Sequence, residues 1–193
     1  MENKKTVIGT YGYIDELKKK SKSNMMMYAA FAAVLFALSP VLMKSMVSAF
    51  SVAAVVMLIP AFQAFKQYLT MKEFNSCSLE EYTRISEIVK GKLYMVLLSD
   101  LVLSGTMDDV MLNMAIIYNN NIYGYAPKQN QGLDKIEALL ESILSEENIS
   151  AKKPVVHDKF EDFEEMVMML AANEPSTQQD VGRIYHQIES YCI

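Results

Sequence analysis

The first third of the chain contains two long apolar runs. Residues 25–42 form a run of eighteen positions without a charged side chain, residues 46–65 form another of twenty, and Lys44 lies between them. At 1.5 Å per residue, helices over these runs are about 27–30 Å long, which matches the hydrocarbon core of a bilayer. A cleavable signal peptide fits less well, because a long segment precedes the first run and a second run follows it. The pattern therefore predicts a transmembrane helical hairpin at 25–65.

Small residues predict how the two helices contact each other. Alanines recur at every fourth position in both runs, and such rows let helix backbones approach closely in lipid. They are Ala29, Ala33 and Ala37 in the first run, and Ala49 and Ala53 in the second. We expect these rows to face each other within the hairpin. The alternative, a soluble protein that buries the hairpin, would need a large protein wrapped around it.

The lysines predict the orientation of the hairpin. Residues 1–24 carry six lysines against three acidic residues, and Lys66 and Lys72 follow the second run, whereas only Lys44 lies at the far turn. Positive residues concentrate on the cytoplasmic side of membrane proteins. We therefore expect a multi-pass protein of the cell membrane, with a basic cytoplasmic arm at 1–24 and both termini in the cytoplasm.

After the second run, the pattern changes to that of a folded domain. Residues 66–77 are predicted to be a linker. Ser78 and Glu81 then have the spacing of a capping box, and Gly91 is a stop signal, so a helix is predicted between them. Residues 93–103 are almost uniformly apolar, which is typical of a strand that is covered on both faces.

The remaining elements define the fold class. Three asparagines favour a tight hairpin turn, and apolar periodicity predicts the elements around and after it: strands at 111–118 and 122–126, a helix at about 132–146 and a strand at 154–157. Two helices follow, the first capped by Asp158 with Glu161 and the second opening at Pro175. The order α-β-β-β-α-β-α-α predicts an α+β domain at 78–193, in which helices flank a small, mostly antiparallel or mixed sheet.

Charge and cysteine spacing limit the partners of this domain. Residues 70–193 carry 20 acidic against 10 basic side chains, a net charge of −10. Because such a domain repels nucleic acids, we do not expect it to bind them. Cys77 and Cys192 are far apart and lack CxxC spacing, which is typical of reduced cytosolic thiols. The chain contains no phosphate-, dinucleotide- or zinc-binding motif, so the sequence predicts no cofactor and no metal.

Two aspartates are weak candidates for a catalytic role. Asp100 lies inside the apolar strand, where an acid must be paired, hydrogen-bonded or protonated. Asp109 lies just before the next strand. A perturbed acid can belong to an active site or to a structural contact, and both alternatives stay open for Asp100. His157 and His186 lack the companions that a metal site requires.

The residues around the predicted hairpin resemble a nuclease family. The stretch DDVMLNMAIIY, from Asp108 to Tyr118, is followed by the asparagine turn and by IYGYAPK, from Ile122 to Lys128. With the element order helix, three strands, helix, strand, this text looks like the nuclease-related (NERD) domains of the PD-(D/E)XK group. The resemblance covers part of the domain and is carried by its strand pattern.

This resemblance implies a metal-binding Asp on the second strand and a Glu-x-Lys motif on the third. Asn113 stands near the position of that Asp, with Asp109 as a displaced substitute, and Gly124 or Tyr125 stands in the Glu-x-Lys position. Without two carboxylates, such a site cannot hold a divalent cation or activate water. The resemblance therefore implies an inactive relative.

Together these patterns favour a non-enzymatic interaction or scaffold protein, expected in bacteria, whose domain is held at the inner leaflet. The lipid bilayer is its expected partner, while a protein partner for the cytoplasmic domain and self-association stay open. A cluster of tyrosines, Tyr118, Tyr123 and Tyr125, is a candidate exposed patch. Two alternatives also stay open: a membrane-tethered nuclease-like hydrolase that uses Asp100 or Asp109, and a small membrane effector with a ligand-sensing domain.

Overall fold

A computed structural model describes residues 7–43, 49–104, 109–127, 132–146, 153–173 and 181–192. The predicted fold class is confirmed: two long apolar helices precede an α+β domain with the order α-β-β-β-α-β-α-α. The elements are α1 (Tyr13–Met43), α2 (Ala49–Met71), α3 (Leu79–Val89), β1 (Val96–Leu103), β2 (Val110–Tyr118), β3 (Asn121–Tyr125), α4 (Leu133–Glu146), β4 (Val155–His157), α5 (Phe160–Ala171) and α6 (Val181–Tyr191).

The chain divides into two compact units. One unit contains α1 and α2 and covers residues 14–74. The other is the α+β domain, which combines the described residues from 75 onward with residues 7–13 from the start of the chain. The domain is therefore discontinuous in sequence, a feature that the apolar pattern of its own elements does not indicate.

Both helices of the first unit are long and apolar enough to cross a membrane. Helix α1 has 31 residues and α2 has 23, and each contains one proline, Pro40 and Pro60 respectively. Because α1 begins at Tyr13, the lysines at 18–22 lie on the same helix as the first apolar run. Length and composition thus support membrane association of this unit.

The prediction that the alanine rows form the contact between the two helices is wrong. Ala29, Ala33 and Ala37 are exposed, as are Ala49 and Ala53. The buried small residues are instead Ser21, Ala32 and Ser39 on α1, and Ala54, Ala61 and Ala64 on α2. The three buried residues of α1 are spaced by eleven and seven residues, close to whole numbers of helical turns, so they share one face. Residues spaced by four instead rotate gradually around a helix of 3.6 residues per turn. Ser21 Oγ donates to Gln67 Oε1 at 2.9 Å and so links α1 to α2.

The domain is built on a mixed four-stranded sheet with helices on both faces. The strand order is β1-β2-β3-β4, the first two pairs are antiparallel, and β3 pairs with β4 in parallel. One face packs against apolar side chains of α4 and α6, and the other packs against those of α3 and α5. Coverage on both faces explains why β1 and β2 are apolar at nearly every position.

Local signals in the sequence fix several boundaries of these elements. At the start of α3, Ser78 Oγ accepts from the Glu81 backbone N–H while Glu81 accepts from the Ser78 N–H, so the predicted capping box is confirmed. Gly91 follows this helix with φ +80°, the left-handed conformation that ends many helices. Asn119 and Asn120 both have positive φ in the β2–β3 turn, as a tight hairpin of this type requires.

The predicted cap of α5 is wrong. The residue before the helix is Lys159, which makes no side-chain cap hydrogen bond, and the helix begins at Phe160. Two acidic residues, Glu161 and Asp162, lie in its first turn, where the helix dipole favours negative charge without a cap. The predicted start of the last helix at Pro175 lies outside the described residues.

Gly124 on β3 provides a test of the packing of this sheet. A Cβ at this position would lie 2.9 Å from Leu112 Cδ2 and 3.4 Å from Val156 Cγ2. The added methyl group would have to displace a terminal methyl group of Leu112, which is fully buried in a packed core. We expect Gly124→Ala to lower the free energy of unfolding by about 1–3 kcal/mol, measured by urea unfolding of the full chain in detergent with near-ultraviolet circular dichroism.

Gly132→Ala is the matched control for this experiment, because a Cβ there meets no atom within 4 Å among the described residues. This variant should unfold within about 0.5 kcal/mol of the original chain. Equal stability of the two variants would contradict the close packing of β3 against Leu112.

Candidate functional site around Asp100

Asp100 is the most unusual residue of the domain. It lies in the middle of β1, is fully buried, and has a φ of 53°. A left-handed conformation costs a non-glycine residue about 1–2 kcal/mol, and aspartate is among the residues that tolerate it. Ser76 Oγ donates a hydrogen bond of 2.6 Å to Asp100 Oδ2, which supplies a polar partner inside the core. The backbone strain and the burial make this position the candidate site.

Asn113 occupies the facing position on β2. The pairs Ser99–Met114 and Leu101–Leu112 flank it, so the constant register places Asn113 opposite Asp100. Asn113 Nδ2 donates to the backbone oxygen of Asn75 at 2.8 Å. We call this facing pair, Asp100 and Asn113, the Asp100 rung. Both of its side chains contact the same short segment, residues 75–76, just before α3.

The side-chain alternation of both strands shifts at this rung. Leu98 and Leu101 pack in one apolar cluster, although strict alternation would place residues three apart on opposite faces. On β2, Leu112 belongs to that cluster while Met114 belongs to the cluster on the other face. Because both strands shift at the same position, their register is preserved on either side of it. The left-handed backbone of Asp100 accompanies the shift in β1.

The start of the chain packs beside this rung. The Ser99 backbone N–H donates to the Gly9 carbonyl at 2.9 Å, and Tyr11 Oη donates to the Cys77 carbonyl at 3.2 Å. The Tyr11 ring stacks on Tyr82 of α3, with 4.6 Å between the ring centroids. Residues 7–12, predicted as part of a cytoplasmic arm, are thus a structural segment of the domain.

A second polar contact, between Glu81 of α3 and Tyr125 of β3, lies in the same part of the domain. Tyr125 Oη donates to Glu81 Oε1 at 3.3 Å, and the same glutamate serves the capping box of α3. Burial is the main cause that raises the pKa of the Tyr125 hydroxyl above its ordinary value, and the nearby Glu81 adds to it. The contact therefore holds this tyrosine as a neutral hydrogen-bond donor.

Cys77 is buried beside these groups and is a free thiol. Burial raises its pKa to about 12, and the negative charges of Asp100 and Glu81 act in the same direction. A thiol with such a pKa is protonated at neutral pH, and the thiolate is the form that attacks electrophiles and binds metals. Cys77 thus acts here as a small apolar side chain rather than as a nucleophile.

The second candidate, Asp109, does not converge with Asp100. Asp109 is half-buried and precedes β2, four positions from Asn113 along the strand. At about 3.3 Å per residue, this separates it from the Asp100 rung by about 13 Å. In the part of the chain that the structure describes, no group of three or more His, Cys, Asp or Glu side chains is placed to hold a metal ion.

The positions that correspond to a Glu-x-Lys motif are filled by structural contacts. At Gly124, a side chain would collide with Leu112. Tyr125 is buried, with its ring stacked on Phe163 at 5.6 Å between centroids and edge-on to Phe160 at 5.8 Å. Neither position presents a charged group to the rung of Asp100 and Asn113.

The proposed tyrosine patch is not exposed as a unit. Tyr118 and Tyr125 are buried, and only Tyr123 is partly accessible. Tyr118 Oη donates to the Asn173 carbonyl at 2.9 Å, so this side chain fixes the end of α5. The tyrosines around the hairpin belong to the core and its margins.

The sequence pattern singles out Asp100 but does not indicate the residues that form the contacts around it. Ser76 and Asn75 lie in what was predicted to be a linker, and Tyr11 lies in the predicted arm. One signal was present: Gly9 and Gly12 bracket Tyr11, and both have positive φ of +84° and +81°. Glycines at such short spacing indicate an ordered turn rather than a plain basic flank.

Comparison with known proteins does not identify the site. The chain matches no protein-family model, and no curated protein or solved structure is similar to it. The chemistry of the site therefore rests on its own geometry, which is that of a buried, strained polar contact.

Replacement of Asp100 tests whether this contact stabilises the domain. Asp100→Ala removes the acceptor of the Ser76 hydrogen bond and leaves alanine in a left-handed conformation, so we expect a loss of about 2–4 kcal/mol of unfolding free energy. Asp100→Asn retains an oxygen acceptor and tolerates positive φ, so its loss should be smaller. Urea unfolding of the full chain in detergent measures both variants.

Asp109→Ala is the control, since Asp109 is a partly exposed aspartate next to the same pair of strands. Its stability should change by no more than about 0.5 kcal/mol. If Asp100→Ala were as stable as Asp109→Ala, the contact would not be structural.

Proposed function

We propose that this protein is a membrane-anchored interaction or scaffold module whose α+β domain is non-enzymatic and lies at the cytoplasmic face of a bacterial cell membrane. The observation that carries this proposal is the use of the Asp100 rung in structural contacts. Asp100 is fully buried against Ser76, and Asn113 is bonded to the chain segment before α3. Groups held in this way are not available to a substrate.

The two apolar helices support the anchoring part of the proposal. In a hairpin with both ends inside, the lysines that precede the first apolar run and follow the second lie on the cytoplasmic side, as the positive-inside tendency favours. Lys44 at the far turn can extend its charged end into the headgroup region. The domain then follows the second span on the cytoplasmic side, where its free thiols fit a reducing compartment.

The nuclease-like alternative is supported by element order alone. The order α3-β1-β2-β3-α4-β4 is that of the nuclease-related core. The residues that would carry its chemistry are missing, because Asn113 stands near the position of the metal-binding Asp and a side chain at Gly124 would collide with Leu112. If the resemblance reflects descent, we propose an inactive relative that keeps the scaffold and uses it to bind a partner.

The orientation is tested with single cysteines placed on either side of the first span. In spheroplasts that express the full chain, a membrane-impermeant maleimide should label Ser45→Cys, because residue 45 is proposed to lie outside. Ser23→Cys, at an exposed position on α1, should be labelled only after lysis. The unsubstituted chain is the blank, since burial raises the pKa of both Cys77 and Cys192 to about 12 and slows their alkylation. The reverse labelling pattern would overturn the orientation.

The absence of nuclease activity is tested on the purified full chain. With Mg²⁺ or Mn²⁺, we expect no cleavage of plasmid DNA, single-stranded DNA or RNA above the level seen with Asp100→Asn or Asp109→Ala, because the two carboxylates lie about 13 Å apart along the strands, too far to bind one cation. Both variants avoid the larger disruption expected of Asp100→Ala. Metal-dependent cleavage that either variant abolishes would establish an enzyme and end the scaffold proposal.

A further inference from the structure

The turn between α3 and β1 presents an apolar side chain to solvent. Leu93 is 98% exposed, more than any other large apolar side chain in the described part of the chain. It lies in the sequence Lys90-Gly91-Lys92-Leu93, which we call the Lys90–Leu93 turn. Transfer of a fully exposed leucine from water to an apolar environment is favourable, so Leu93 can contribute binding energy to a contact with an apolar partner.

This turn is held in place by hydrogen bonds on both sides of Leu93. The Lys92 backbone N–H donates to the Val89 carbonyl at 2.9 Å, and the Met95 N–H donates to the Lys92 carbonyl at 3.1 Å. The next residue, Tyr94, donates from its hydroxyl to the Ala171 carbonyl at 3.0 Å. Leu93 is therefore directed outward by an ordered backbone.

The surroundings of the turn combine positive charge with apolar area. Lys90 is exposed, and Lys92 Nζ lies 6.0 Å from the centroid of the Tyr94 ring. The bond from Tyr94 brings the turn next to the carboxyl end of α5, where Met168 and Met169 are 49% and 57% exposed. Glu87, one turn earlier on α3, is the nearest acidic residue in the preceding sequence.

The net charge of the domain makes this turn distinct. Residues 70–193 carry 20 acidic and 10 basic side chains, so most of the domain is repelled by an anionic bilayer. Two of the ten basic side chains, Lys90 and Lys92, lie in the turn just before Leu93. The turn thus combines the two features that bind an anionic lipid surface, an exposed apolar side chain and adjacent lysines.

We propose that the Lys90–Leu93 turn docks the domain on an anionic bilayer, with Leu93 inserted at the interface and Lys90 and Lys92 on lipid phosphates. The inference rests on the proposed membrane anchoring, because a tether raises the local concentration of the domain at the bilayer and lets one small contact suffice. Leu79 provides the contrast: it is 64% exposed, but Glu80 and Glu81 follow it directly.

The chain contains no tryptophan, so a single substitution creates a specific fluorescent reporter. The full chain with Leu93→Trp is reconstituted into nanodiscs of equimolar phosphatidylcholine and phosphatidylglycerol, with brominated or ordinary acyl chains. We expect brominated lipid to lower the tryptophan emission about twofold or more and the emission maximum to shift to the blue, as for an interfacial side chain. Leu79→Trp, the matched control, should keep a solvent-like spectrum and little quenching.

Charge reversal tests the role of the lysines. In Leu93→Trp, adding Lys90→Glu and Lys92→Glu should remove most of the quenching, and discs of phosphatidylcholine alone should show less quenching than anionic discs. Equal quenching of Leu93→Trp and Leu79→Trp, or a solvent-like Leu93→Trp spectrum in anionic discs, overturns the docking. Quenching that survives both charge reversals overturns the assignment of the lysines to lipid phosphates.

The same preparation separates the two proposals. A chain that enters nanodiscs but leaves Leu93→Trp in solvent retains its anchor and lacks the docking contact. A chain that stays soluble without detergent or lipid overturns the membrane anchoring, and the docking proposal with it.

Discussion

The hydrogen bond from Ser76 to the buried carboxyl group of Asp100 joins parts of the domain that are distant in sequence. Asp100 adopts a left-handed backbone in the middle of a strand, at a cost of about 1–2 kcal/mol. The structure retains this conformation because the polar side chain then reaches the segment before α3 instead of facing an apolar layer. Asn113, on the facing strand, reaches the same segment. The pairing of β1 with β2, the entry to α3 and the buried carboxyl group are thus coupled at one pair of facing residues, Asp100 and Asn113.

This coupling also determines how the two apolar layers are filled. The shift of alternation at the rung places Leu101 and Leu112 on the side of α4 and α6, while Met114 lies on the side of α3 and α5. A regular pair of strands would have placed an acid and an amide in one of these layers, where unpaired polar groups are costly. The segment at residues 7–12 closes the same region through Gly9 and Tyr11. The start of the chain is therefore needed for a complete core.

Short-range chemistry accounts for what the sequence predicted. The capping pair Ser78 and Glu81, the stop at Gly91 and the asparagine turn each act within a few residues, so their effect can be read along the chain. The element order followed from these signals and from apolar periodicity. The contacts around Asp100 could not be predicted in this way, since Ser76, which donates to Asp100, and Tyr11, which donates to the Cys77 carbonyl, reach the site only through tertiary folding. The alanine spacing did not predict the buried face of α1, because this face depends on how α2 packs against α1. That packing is not visible in the sequence of α1 alone.

In the proposed scaffold, the interior polar groups hold the domain together and the surface makes the contacts with partners. Inside the domain, Asp100, Asn113, Glu81 and Tyr125 are engaged in contacts that hold elements together, and Cys77 carries a thiol that stays protonated. A tethered domain needs no catalytic cleft to act: confinement to a bilayer already raises its encounter rate with other membrane components. An acidic domain confined near an anionic surface is oriented by its least acidic side. Docking through the Lys90–Leu93 turn, as proposed, would fix the orientation of the domain and leave its other surfaces free for a partner.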